Sequence, residues 1–260
     1  MNRVTSSDGT TIAYDIVGED GPPIVLIGRA GADRRGHATL ATELGENFRV
    51  HNYDRRGRGD SGDTDPFTVD KEVDDLAALI AAAGGHANVF GNSSGSVLAL
   101  EAAAQGLPID RLVVWEPPYV IGGRTDLVPP PSEVLTTLLA DGRRADAVDY
   151  WMETVIGLPP EHLAPLRQTP FWDELMTLAD TLAYDALIMG DYQPPEMTLR
   201  AITTPTLVLA GDSSFPFIEA TADKVAELTP NARRSTVPGQ DHIFAAAAIA
   251  PNLAEFFLER

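Results

Sequence analysis

The feature that most limits the architecture of this chain is an alternation. Short apolar runs rich in β-branched residues, at 10–17, 23–28, 48–53, 87–91, 111–116, 204–211 and 233–237, recur between glycine-rich turns. Between several of them lie stretches with apolar residues at three- and four-residue steps, at 70–83, 94–105, 218–228 and 243–258. The first pattern predicts strands and the second predicts helices. Strands that alternate with helices imply an α/β fold, a mostly parallel sheet flanked by helices on both faces.

The alternation breaks once. From Pro117 to about Arg200 there are helix-like stretches, prolines and aromatics but no convincing strand. We therefore expect a core formed by 1–117 and 201–260, with 118–200 inserted as a helical cap. Proline pairs and triplets at 129–131, 159–160 and 194–195 are expected to break helices and punctuate the cap. No internal repeat is present, and the alanine run at 245–248 suits a helix. With 260 residues, 44% of them hydrophobic, the chain can bury a large core.

A formal net charge of −19 disfavours nucleic acid or an anionic membrane as partner, because the summed field repels polyanions. A neutral or cationic small molecule fits better. The chain has no cysteine, hence no disulfide framework and no thiolate nucleophile. It shows neither a twenty-residue apolar run nor a signal-like start, so a soluble cytoplasmic protein, monomer or homodimer, is expected.

The stretch VFGNSSGSV at 89–97 carries the chemistry. An apolar run ends at Phe90 and a helical pattern begins by Val97, so five residues must turn one into the other. In such a turn the middle residue is strained and projects its side chain, while glycines two before and two after allow strand and helix to approach closely. That residue is Ser93, the candidate nucleophile. Ser94 would offer its backbone N–H to a developing oxyanion, and Ser96 would lie inside the first helical turn. The plain alternative is a strand–helix turn with serine as a cap.

A serine hydroxyl needs an imidazole to take its proton. His242 lies after the last predicted strand and before the final helix, at the same carboxyl edge as Ser93, and is the candidate base. His37, His51, His86 and His162 read as solvent-facing or satisfied structural histidines. Two carboxylates end strands at the correct edge, Glu116 in VVWEPPY and Asp212 in LAGDSSF, and either could orient the imidazole.

GNSSG at 91–95, YDRRGRGDS at 53–61, LVLAGD at 207–212 and PGQDH at 238–242 together resemble the α/β-hydrolase fold superfamily over nearly the whole chain outside the cap. In most of that family the acid stands three residues beyond a glycine after the strand that follows the cap. Here that position is Ser214. In other members the acid ends the strand after the nucleophile helix, where this chain has Glu116, so the resemblance favours Glu116 over Asp212. The family's His-Gly after its third strand is replaced by IGRAG at 27–31. By that resemblance Arg29 supplies the second oxyanion N–H, or Ala30 if the register moves by one. The Arg29 guanidinium either holds a substrate carbonyl or carboxylate, or is solvated or paired with a carboxylate of the protein.

Two other motifs carry no function. The stretch at 57–62 fits G-x-G-x-x-G, but no helix opens there and no acidic strand end follows about twenty residues on, so a dinucleotide is not expected. The tripeptide Arg58-Gly59-Asp60 is a turn. No metal-binding spacing is present, and neither metal nor cofactor is expected.

The sequence therefore points to a serine hydrolase cleaving an ester, thioester or lactone of a small to medium hydrophobic substrate through an acyl-enzyme. Carbon–carbon hydrolysis, lyase chemistry, cofactor-free perhydrolysis or non-catalytic ligand binding on the same fold are the alternatives. Tyr119, Tyr150, Trp151, Phe171, Trp172, Tyr184 and Tyr192 offer aromatic surface for roofing a pocket or for packing the cap.

Overall fold

Successive residues of the central strands enter two separate cores. In β3 (Pro23–Ile27), Val25 and Ile27 join one buried cluster while Ile24 and Leu26 join the other. In β5 (Ala87–Asn92), Val89 faces the first cluster and Phe90 the second. A sheet apolar on both faces needs helices on both. One face is covered by α1 (Ala38–Leu44) and α11 (Ala246–Leu258), through Leu40, Leu44, Leu253 and Phe256. The other is covered by α2 (Val69–Ala83), α3 (Ser94–Ala104) and α10 (Ile218–Leu228), through Leu76, Leu98 and Val225. The computed structural model describes residues 1–259.

The remaining strands are β1 (Asn2–Thr5), β2 (Thr11–Val17), β4 (Arg49–Tyr53), β6 (Ile109–Trp115), β7 (Thr206–Gly211) and β8 (Ala232–Val237). All eight form one sheet in the order β1-β2-β4-β3-β5-β6-β7-β8. Pairing is antiparallel for β1 with β2 and for β2 with β4, and parallel across the rest. Strand β1, with the sequence NRVT, escapes the periodicity reading because it is short, mostly exposed and at an edge.

After β3 the chain passes through α1 to β4 on one side. It then returns through α2 to β5 on the other side of β3. Strand order reverses between β3 and β5, and a crevice opens beyond their carboxyl ends, the usual ligand position in such sheets.

Between β6 and β7 the chain is helical without a strand: α4 (Pro131–Ala140), α5 (Arg144–Tyr150), α6 (Pro160–Leu166), α7 (Pro170–Thr177), α8 (Leu182–Met189) and α9 (Glu196–Ala201). The prolines act differently from the sequence expectation. Pro131 and Pro160 begin helices rather than break them, because the first helical turn needs no donor from its own N–H.

The last helix begins at Ala246, three residues later than its apolar pattern. Side chains hold the preceding loop out of the helix: Asp241 accepts from the Ile243 N–H at 2.7 Å and Gln240 from the Ala245 N–H at 2.8 Å. No described helix is long and apolar enough to cross a membrane.

His37, beneath the crevice, is buried between Phe90 and Phe244. Burial, aided by the Arg29 cation, pushes its pKa from 6.5 down to about 4. The unfolded chain therefore takes up this proton first, and stability that is full above about pH 6.5 falls as pH drops towards about 4. His37→Phe should flatten this part of the stability–pH curve, measured by denaturant unfolding across that window.

Candidate active site

The turn between β5 and α3 is set by two contacts that exclude side chains. A Cβ on Gly95 would lie 2.5 Å from the Ile27 carbonyl oxygen and 2.6 Å from that of Gly28. A Cβ on Gly91 would run into the Gly95 carbonyl. Between them Ser93 has φ 55° and ψ −122°, a backbone that L-residues rarely adopt. Its N–H is held by the Trp115 carbonyl at 3.0 Å.

Three serines crowd this turn, and each has a different partner. The Ser93 hydroxyl donates to His242 Nε2 at 3.0 Å. The Ser94 hydroxyl donates to Asp185 at 2.7 Å. The Ser96 hydroxyl turns back to the carbonyls of Gly91 at 2.7 Å and Trp115 at 2.9 Å, fastening the turn to β6.

His242 lies in the loop between β8 and α11, and its Nδ1 donates to Glu116 Oε2 at 2.8 Å. Because a carboxylate only accepts, that bond puts the hydrogen on Nδ1 and leaves Nε2 as acceptor for the serine. Glu116 is fully buried just past β6, and its N–H still pairs with the Leu209 carbonyl. Its Oε1 accepts from the Gly211 N–H at 2.9 Å and its Oε2 also from the Ser214 hydroxyl at 2.7 Å.

Asp212, the other candidate acid, does not join this chain of contacts. Its carboxylate turns to the Gly239 N–H at 2.7 Å and the Ser213 hydroxyl at 3.1 Å, tying two loops together. It follows Gly211 directly, one residue beyond the strand, and the imidazole's Nδ1 is taken by Glu116. Ser214, the position at which the resemblance would place an acid, instead donates to the Glu116 carboxylate that reaches in from the end of β6.

The candidate amide donors are held by similar means. Ser94 is the first residue of α3, so its N–H belongs to the helix's first turn, which has no intrahelical acceptor. The segment after β3 is fixed by two arginines. Arg55 donates to the Gly28 carbonyl at 3.2 Å and Arg58 to the Arg29 carbonyl at 3.0 Å. In a trans peptide the carbonyl and the following N–H point opposite ways, so these bonds set the directions of the Arg29 and Ala30 N–H groups. Arg29, Ala30, Ser93, Ser94 and His242 all line one cavity of about 250 Å³.

Those arginines belong to a buried ionic cluster absent from the sequence reading. Arg55 forms a paired contact with Glu72, at 2.7 and 2.9 Å, and a third bond to Asp185 at 2.8 Å. Arg58 meets the other Asp185 oxygen at 2.9 Å. Burial works to raise the Asp185 pKa, but Arg58 and Arg55 outweigh it and hold this carboxyl below the usual range. The available signal was a lone acid in the otherwise apolar LAYDALIM of α8.

Of the seven aromatics noted in the sequence, Trp151, Phe171 and Tyr192 line the cavity. Tyr184 instead stacks on Phe67 at 4.0 Å, and Trp172 packs under Arg167. Phe215 and Phe217, which follow β7, complete the lining from the core.

The family model described as "Alpha/beta hydrolase family" matches residues 21–251. The chain belongs to the alpha/beta hydrolase family. An alpha/beta hydrolase from Sphaerobacter thermophilus is 50% identical, with a TM-score of 0.93, over 98% of this chain and 100% of that one. A bifunctional esterase/perhydrolase of Acinetobacter calcoaceticus is 27% identical over 93% of each chain. The match to a proline iminopeptidase of Pestalotiopsis fici is partial, 30% identical over 40% of this chain and 39% of that protein. Family and relatives support hydrolase activity for this alpha/beta hydrolase.

The turn can be probed at Gly95. Alanine improves helix propensity by about 1 kcal/mol. Its Cβ would press on two backbone carbonyls that cannot swing aside, so we expect a net loss of about 2 kcal/mol or more, read as a lowered denaturation midpoint.

Proposed function

We propose that this alpha/beta hydrolase is a serine hydrolase acting on an ester, thioester or lactone through an acyl-enzyme. The observation that carries this is the continuous chain from Ser93 Oγ through His242 to buried Glu116, at 3.0 and 2.8 Å, opening on a largely apolar cavity.

Ser93 Oγ attacks the substrate carbonyl carbon while His242 Nε2 takes the hydroxyl proton. Glu116 holds the imidazole in the required tautomer and offsets the charge of the imidazolium. Negative charge moves to the carbonyl oxygen, where the N–H groups of Ser94 and of Arg29 or Ala30 stabilise it. The imidazolium gives its proton to the departing alkoxide or thiolate, leaving Ser93 acylated. Water then attacks the acyl carbon, His242 takes one of its protons, and collapse returns that proton to Ser93 Oγ and releases the acid.

Residues 118–200 serve in this proposal as a cap whose Trp151, Phe171 and Tyr192 roof the substrate. The cavity volume, just below the usual range of about 300–1,000 Å³ for ligand sites, favours a small substrate. Perhydrolysis on the same residues is the second reading, favoured by the likeness to the esterase/perhydrolase of A. calcoaceticus. There hydrogen peroxide replaces water as the second nucleophile.

A fluorophosphonate probe should label the native protein and fail to label Ser93→Ala; a folded native protein that stays unlabelled defeats the enzyme proposal. Glu116→Gln should lower kcat on a chromogenic ester by about a thousandfold. Asp212→Asn should stay within about threefold of wild type, since Asp212 ties loops and does not touch His242. The reverse ranking would transfer the acid's role to Asp212.

A further inference from the structure

Arg29 stands apart from the arginines that surround it. Arg55, Arg56 and Arg58 each meet at least one buried carboxylate. Arg124, which lines the same cavity as Arg29, is held by both oxygens of Asp126. No carboxylate among the described residues forms an ion pair with Arg29. Its guanidinium makes one hydrogen bond, from Nη1 to the Ala30 carbonyl at 3.0 Å, and lies 5.8 Å from the centre of the Phe171 ring.

Neither ordinary role for such a side chain is met here. Arg29 is not paired with a carboxylate of the protein, and it is not fully solvated. It lines an otherwise largely apolar cavity, and burial works against its charge. The nearby Asp185 is already engaged by Arg55, Arg58 and Ser94. A guanidinium carries five donors in a planar fork, and one is used here. On the same cavity wall Tyr192 is 4% exposed, and its hydroxyl has no hydrogen-bond partner among the described residues.

A partly buried cation with unused donors gains by meeting an anion, and a planar carboxylate matches the fork in two places at once. We propose that the Arg29 side chain is a carboxylate subsite, and that the substrate is a small ester or lactone bearing a carboxylate besides the acyl group that reacts. The proposal rests on the serine-hydrolase reading and narrows its substrate class. Arg29 is also a candidate amide donor, so this carboxylate sits within one side chain's reach of the reacting carbonyl.

The overall charge of −19 does not oppose this. Charges beyond about 10 Å are largely screened at 0.1 M salt, whereas a cation at the wall acts by direct contact. The local pocket therefore reverses the preference for a neutral or cationic ligand that net charge alone suggests.

The carboxylate can lie on the acyl or the alcohol side, and matched ester pairs separate the two. Monomethyl glutarate is compared with methyl valerate, and 4-acetoxybutanoate with butyl acetate; within each pair the change is essentially carboxylate for methyl. In at least one pair the acid should have a kcat/KM higher by about tenfold or more, with Arg29→Met bringing the ratio towards one. No preference in either pair, or a ratio unchanged in Arg29→Met, overturns the proposal.

Binding is tested apart from chemistry on Ser93→Ala, by quenching of tryptophan fluorescence with the same four esters. Tighter binding of an acid than of its neutral partner, lost when Arg29→Met is added, supports the subsite even if fluorophosphonate labelling has defeated the hydrolase reading. Equal binding within both pairs overturns it.

Discussion

Much of this structure depends on how closely the first turn of α3 approaches the end of β3. Where a Gly95 side chain would stand there are instead the carbonyls of Ile27 and Gly28. That approach places the Ser94 amide beside the segment carrying Arg29 and Ala30, and it forces Ser93 into a backbone conformation that presents its hydroxyl to the crevice. The sheet's reversal of order between β3 and β5 makes this the point where both segments exit on the same side.

Electrostatics then fastens the parts around that turn. Asp185 comes from α8, in the helical segment between β6 and β7, yet its carboxylate bonds Arg55, Arg58 and the residue next to Ser93. Buried pairs of this kind contribute little net stability compared with apolar packing, but removing one partner strands a charge at about 3–5 kcal/mol. Their effect is to fix position, because any other placement of α8 would leave the Arg58 guanidinium without a carboxylate and Arg55 with Glu72 alone. One cluster thereby positions the helical segment, the β3 exit and the turn at Ser93 together.

The carboxylate facing His242 shows how one constraint can be met from a different strand. Glu116 leaves β6 at positive φ and reaches beneath the loop after β7, where Gly211 and Ser214 donate to it. A buried carboxylate needs several donors. The last residue of β7 and the loop after it supply one donor each, to a carboxylate that arrives from the neighbouring strand.

Much was legible in the residue order alone. The α/β class followed from period-two and period-3.6 runs, since both faces of a central strand must be apolar when helices cover them. The bend at 91–95 was legible because only glycines allow that approach, and a local constraint leaves a local mark. The edge strand 2–5 left little mark, since it buries little, and the final helix began late because two polar side chains hold its approach open. Which of Glu116 and Asp212 meets the His242 imidazole was not legible in residue order alone, since both follow strands at one edge. Nor were the partners of Arg55, Arg58 and Asp185, or the lack of a carboxylate partner for Arg29 among the described residues. Ion pairing and hydrogen bonding act over about 3 Å between segments as many as 149 positions apart, as for Ser93 and His242. Such proximity exists only once the sheet has assembled.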